Sequence, residues 1–316
     1  MQKGMKGRLY HLCFTSHQEV LCRNHSDYVR LFNCMAQAII NTDSQLITCN
    51  VMSNHLHMAV ITENAGRLMQ RLRSSYTQMF NEIYGRSGML GDPRYFKLLL
   101  VGRIHISAAL SYILRNPVHH NVCANPFAYP FSPIQVYFNN HRKPLQETDS
   151  GLRSARSKKT IRCKNVIPGN IGFDARGMID MSTVINTDIL EGYFGSYRAF
   201  QYGLTRNDYD RWQEEQEREQ SDVEPVTLTS IEPHLPLEII GKMTDQNLSW
   251  VREHSVTDLE LCTMIDGFYL SDFHKKSYTE LTDSEKVKVA RKIQEGIRVS
   301  PQQLGRCLNI RPEILM

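Results

Sequence analysis

Two apolar runs, Ile47 to Met52 and Leu56 to Ile61, stand on either side of Ser53-Asn54 and constrain the fold more than any other segment of the chain. They read as paired strands within 44–62. The second run carries His55 and His57 one residue apart. Alternate side chains of a strand share a face, so the two imidazoles project together while Leu56 and Met58 face the other way into a core. Two histidines fixed on one strand form a platform for a metal ion that needs a third ligand. Such a pair standing alone also occurs where histidines only pack or hydrogen-bond, so the rest of the chain has to decide between the two readings.

The flanking segments alternate strand and helix signals. Residues 8–16 read as a strand and 26–42 as a helix capped by Ser26 or Asp27. Leu68, Met69, Leu72, Tyr76, Met79, Phe80 and Ile83 recur at three and four, giving a helix from Asn64 to about Tyr84. Gly85, Gly88, Gly91 and Pro93 then break the chain. A strand is expected over 95–102 and a helix over 106–116, stopped by Pro117. The order β-α-β-β-α-β-α implies one sheet with helices packed on it.

A length of 316 residues favours two domains. Apolar residues make up 41% and charged residues 22%, as in globular proteins, and no apolar run reaches the ~18 residues of a membrane span. The start lacks the apolar centre and cleavage site of a signal peptide. Eight scattered cysteines without a C-x-x-C pair suggest neither a zinc knuckle nor a disulfide frame, so a cytoplasmic, nucleoid-associated protein is expected. The net charge of +4 is unevenly spread: residues 1–145 hold 15 Lys and Arg against 6 Asp and Glu, whereas 165–316 hold 16 against 25. A basic half beneath the histidine pair points to a polyanion, because phosphate neutralisation supplies most sequence-independent nucleic-acid affinity.

The boundaries that follow are a domain over 1–145, a basic linker over 146–170 and a mainly helical accessory region over 171–316. The run Arg153 to Lys164 is a solvated connector or a phosphate-contacting arm. Residues 186–200 are aromatic-rich and folded, and 211–225 form a charged, solvent-facing helix. Near 282–316 Thr282 caps one helix and Ser300-Pro301 starts another. This is either a helix-turn-helix reader or a packing module, with only six residues left for a recognition helix from Arg311.

Ile106, Leu110, Ile113 and Leu114 mark the buried stripe of the 106–116 helix. Tyr112 lies at its flank, and Asn116 lies four residues on, on the same side. His-Leu-His on a strand, a long helix containing SSYTQMFN, a Gly-rich break, a strand, Tyr-x-x-x-Asn-Pro-Val and the tail FAYPFSP follow in order over about 8–138. This arrangement resembles the single-tyrosine HUH transposases, and within them the REP-associated tyrosine transposases. The resemblance implies a ferredoxin-like antiparallel sheet with helices on one face, an α+β fold. It implies that His55 and His57 bind a metal, that Asn116 completes the shell and that Tyr112 is the nucleophile. It also implies a single-stranded DNA substrate, often carrying a hairpin.

The chemistry can be argued without the resemblance. A tyrosine pKa of about 10 makes phenolate cost roughly 4 kcal/mol at pH 7. A divalent cation, Mg²⁺ or Mn²⁺, on a mixed nitrogen and oxygen shell can stabilise transition-state charge on a phosphate by several kcal/mol. A covalent phosphotyrosine keeps the phosphodiester energy and allows rejoining without ATP. Tyr76 is a rival nucleophile but lies in an apolar stripe, and His119 or His120 is a rival ligand. Arg67, Arg71 and Arg73 could face DNA, with Arg71 and Arg73 the better candidates. Two other readings stay open: a domesticated DNA-binding protein of the same fold without cleavage, and an HUH replication or mobilisation initiator. A homodimer is a further expectation, and no membrane partner is expected.

Overall fold

Strand β1 (Arg8–Thr15) pairs antiparallel with β3 (His55–Thr62) on one side and with β4 (Phe96–Leu99) on the other. Strand β2 (Gln45–Val51) completes the sheet beyond β3, giving the order β2-β3-β1-β4. Helix α1 (His25–Asn41) joins β1 to β2, and α2 (Ala65–Tyr84) joins β3 to β4. This is the βαββαβ ferredoxin-like arrangement, an α+β fold, as the sequence led us to expect. The structure, a computed structural model, describes residues 7–139, 171–205 and 256–315. The basic run Arg153 to Lys164 and the charged segment 211–225 lie outside the described residues.

The register sorts the strands into two faces. Leu12, Phe14, Cys49, Val51, Leu56, Met58 and Val60 share one face and are all buried beneath α1 and α2. Each of the Leu, Val, Phe and Met side chains among them contributes about 1.5–3 kcal/mol on full burial. The opposite face is polar: His57 stands between Cys13 on β1 and Asn50 on β2, with His11 and His55 beside them. A third helix, α3 (Arg103–His119), covers this face, so the sheet carries helices on both faces, where the sequence led us to expect them on one only. Buried polar groups require partners, so α3 has to bring hydrogen bonds as well as apolar surface.

Three boundaries differ from those read in the sequence, each for a local reason. Helix α1 starts at His25 because Asn24 is its cap, accepting from the Asp27 N–H at 3.1 Å. Strand β4 ends at Leu99, with Leu100 N–H donating to Leu9 as the chain turns toward Gly102. Helix α3 does not stop at Pro117 but runs through it to His119. A helical proline leaves the carbonyl four residues earlier without its N–H donor. Here that carbonyl, on Ile113, accepts at 3.0 Å from the side-chain amide of the buried Asn50 on β2.

The remaining described segments close around this unit. Ile185 forms a parallel bridge to Leu46 at the β2 edge, and Asn33 of α1 holds both Gly177 and Ile179. Helices α4 (Thr187–Phe194) and α5 (Tyr197–Thr205) lie against α3, where Arg115 donates to the Leu204 carbonyl at 2.6 Å. Phe200 gathers Phe127, Tyr137, Phe138 and Phe194, so the aromatic-rich segment is folded.

Further on come α6 (Asp258–Met264), α7 (Asp283–Gly296) and α8 (Pro301–Leu308), with α6 and α7 started by capping boxes at Thr257 and Thr282. Buried Arg23 pairs in bidentate fashion with Asp266 and donates to the Cys307 carbonyl. Asp258 holds Arg306 and accepts from Ser53 in the β2–β3 turn. After Asn309 the chain makes a single 3-10 turn, Pro312–Leu315, and α8 is packed against the 16–23 loop through Val20 and Arg23.

Candidate functional site

The structure brings together the four residues that the sequence singled out for chemistry. His55 and His57 project from the polar face of β3 with ring centroids 5.0 Å apart. Tyr112 on α3 stands edge-on to His57 at 5.6 Å, and Asn116 follows one turn later on the same side. The Asn116 amide points its nitrogen at the Tyr112 hydroxyl (3.5 Å) and its oxygen at His55 Nε2 (2.8 Å). The Asn50 bond to Ile113 supplies the donor missing from the last turn of α3, the turn that carries Asn116 one turn after Tyr112. All four residues are buried, Tyr112 retaining 5% of its exposure and His55 4%.

The surroundings of His55 have a chemical consequence. Its Nδ1 meets Asn54 Oδ1 at 2.9 Å while its Nε2 meets Asn116 Oδ1 at 2.8 Å. Both partners are acceptors, and a neutral imidazole has one N–H to give. One of the two contacts is therefore satisfied by a second ring proton, by a turned Asn116 amide or by a cation. Adjacent ligands of an octahedral ion about 2.1 Å away lie about 3 Å apart, close to the His55 to Asn116 separation. Two imidazoles and an amide oxygen are compatible with Mn²⁺ and with other first-row divalent ions, whereas Mg²⁺ prefers an all-oxygen shell. His55 Nε2 and Asn116 Oδ1 thus stand at a separation that one divalent ion can span, with the His57 ring beside them.

Sequence reasoning missed two members of the site. His11, fully buried on β1, places Nε2 2.9 Å from His57 Nδ1, and Cys13 Sγ lies 3.9 Å from His57 Nε2. The signal was present in the strand read over 8–16, whose odd positions share a face, but its register against β3 was not legible. Asn54, next to the turn, holds His55 from behind. His119 and His120 are neighbours, with ring centroids 5.3 Å from Tyr112 and 4.8 Å from His55 respectively.

Tyr76 is packed in the core under α2, its hydroxyl donating to the Leu21 carbonyl, and burial pushes its pKa well up. The two candidate DNA-contacting arginines part company. Arg71 is exposed on α2. Arg73 is turned in: it donates to the carbonyls of Asp92 and Pro93, lies over the Phe14 ring, and has its pKa lowered by burial. This departs from the expectation of a DNA-facing Arg73, because the glycine-rich 85–93 segment uses its guanidinium as an internal brace. Arg67, like Arg71, is exposed.

No protein-family model matches the sequence, and comparison with curated proteins gives no match. Among solved structures the chain is similar to a REP-associated tyrosine transposase bound to a REP hairpin, at 14% identity and a TM-score of 0.38. That likeness covers 46% of this chain and 87% of the other. Among the described residues no group of three or more His, Cys, Asp and Glu is arranged to hold a metal ion, so the candidate centre is two histidines and an amide. No helix among them is long and apolar enough to cross a membrane.

Proposed function

We propose that this protein is a metal-dependent transferase of single-stranded DNA that cleaves and rejoins strands through Tyr112, acting on hairpin-containing (REP-like) DNA. The observation that carries the reading is the Asn116 amide, which faces His55 with its oxygen and Tyr112 with its nitrogen. One side chain thereby ties a candidate metal ligand, His55, to a tyrosine hydroxyl. The hairpin substrate comes from the sequence resemblance, and the basic N-terminal half agrees with it.

His55, His57 and Asn116 would hold the ion, which when bound supplies charge stabilisation to a phosphate oxygen. The Tyr112 oxygen attacks phosphorus, its phenol proton is released, and the P–O3′ bond breaks. The departing 3′ oxygen takes up a proton and leaves as a free hydroxyl, while the 5′ phosphate remains on Tyr112. Attack by another 3′-hydroxyl reverses the step and joins a new strand. Exposed Arg67 and Arg71 face solvent, where a backbone phosphate can reach them.

The burial of Tyr112 favours a second reading, a DNA-binding protein that keeps the fold and has lost cleavage. Under the first reading the end of α3 shifts to admit a phosphate. Incubation of the protein with end-labelled single-stranded hairpins and Mn²⁺ or Mg²⁺, followed by denaturing electrophoresis, separates the two. A covalent adduct that requires the metal supports transfer, and binding with no adduct across a hairpin library supports the second reading.

A further inference from the structure

We propose that His11 is a positioning residue for the metal centre, acting by fixing which nitrogen His57 presents. The inference rests on the metal reading above and deepens it. His11 and His57 sit on adjacent strands of one sheet, on the same face, because Ala59 rather than His57 is the direct partner of His11. This diagonal offset brings His11 Nε2 to 2.9 Å from His57 Nδ1, with ring centroids 5.0 Å apart and inclined at 45°. Both side chains are fully buried. Phe96 packs edge-on to His11 at 5.5 Å and Tyr112 lies 6.3 Å away, so the ring is set by packing as well as by its bond.

Two neutral imidazoles that share one hydrogen bond have two arrangements. In one, His57 donates from Nδ1 to His11 Nε2, and its own Nε2 carries a lone pair. In the other, His11 donates, and His57 carries its hydrogen on Nε2, where it cannot bind a cation. A metal-bound histidine almost always gives its second N–H to a neighbouring acceptor, which fixes the ring and the tautomer. His55 already has such an acceptor at its Nδ1 in Asn54 Oδ1. Assigning the first arrangement to His57 holds each ring at Nδ1 from behind and turns its Nε2 toward the site, where Cys13 Sγ lies 3.9 Å from that of His57. His11 is the group on β1 that does this for His57, and it does not itself touch the phosphate or the ion.

The test uses the full-length protein and two readouts. Long-range ¹H–¹⁵N spectra of the metal-free protein, at a pH where the imidazoles are neutral, report the tautomer of His57. The expected result is a hydrogen on Nδ1, lost or mixed in His11→Leu and retained in His11→Gln, whose side-chain oxygen can accept in place of Nε2. Mn²⁺ titration followed by electron paramagnetic resonance is expected to show affinity weakened ~10–100-fold in His11→Leu and largely restored in His11→Gln. A His57 hydrogen on Nε2 in the wild-type protein, or Mn²⁺ affinity in His11→Leu within twofold of wild type, overturns the role of His11 alone. Absence of Mn²⁺ binding by the wild-type protein overturns the metal reading and the role of His11 with it.

Discussion

The side-chain amide of Asn50 on β2 donates to the Ile113 carbonyl of α3 at 3.0 Å, supplying the hydrogen bond that Pro117 cannot. A strand residue thus completes the helix that carries Tyr112 and Asn116, and the sheet and the site are joined at that point. Replacing Asn50 with leucine is expected to destabilise the protein by about 1–3 kcal/mol, the cost of leaving a buried carbonyl unsatisfied. In a Pro117→Ala background, where the backbone N–H is restored, the same substitution should cost less. Urea denaturation of the four proteins in the cycle measures the difference, and equal costs in both backgrounds contradict the role given to Asn50.

Asp258 links α6, α8 and the turn before His55, through Arg306 and Ser53. Burial alone raises its carboxyl, but the Arg306 charge and the hydrogen bonds outweigh that and hold it below the usual carboxylate range. A carboxyl depressed in the folded state contributes stability above its unfolded pKa of about 4, and that contribution is lost as pH falls through the lower folded value. Asp258→Asn should lower stability by about 1–3 kcal/mol at neutral pH. It should also flatten the acid limb of a plot of melting temperature against pH. An unchanged acid limb contradicts the assignment.

The two arginines of α2 should separate cleanly. Arg71→Ala is expected to weaken single-stranded DNA binding and to lower the slope of log affinity against log salt by about 0.7, as for the loss of one phosphate contact. Arg73→Ala should lower the melting temperature by freeing the Asp92 and Pro93 carbonyls, and leave that slope unchanged. Filter binding at several salt concentrations decides both, and a slope change in Arg73→Ala contradicts its placement as an internal brace.

Much of the fold was legible because it rests on local signals. The period-two and period-3.6 patterns placed four strands and the two helices on the apolar face of the sheet within a few residues, and the turn at Ser53-Asn54 set the pairing that carries the histidines. What escaped needed non-local information. Pro117 reads as a stop until Asn50, 67 positions earlier in the chain, is seen to replace its missing donor. Arg73 lies four residues after Met69 and three before Tyr76, a spacing that already sets it on the buried side of the helix apart from Arg71, but the carbonyls that receive it come from the distant 85–93 segment. His11 became part of the site through the β1 to β3 register, which no single strand reveals. Tyr112 and Asn116, by contrast, share one helix face and could be grouped by spacing alone.

The most direct measurement of the central claim locates the covalent bond. After reaction with a hairpin oligonucleotide and Mn²⁺, nuclease trimming and tryptic digestion, mass spectrometry reads the peptide 104–115, in which Tyr112 is the sole tyrosine. The account predicts a nucleotide mass on that peptide, dependent on the metal and absent in Tyr112→Phe. A nucleotide on the peptide containing Tyr76, or an adduct that persists in Tyr112→Phe, contradicts it.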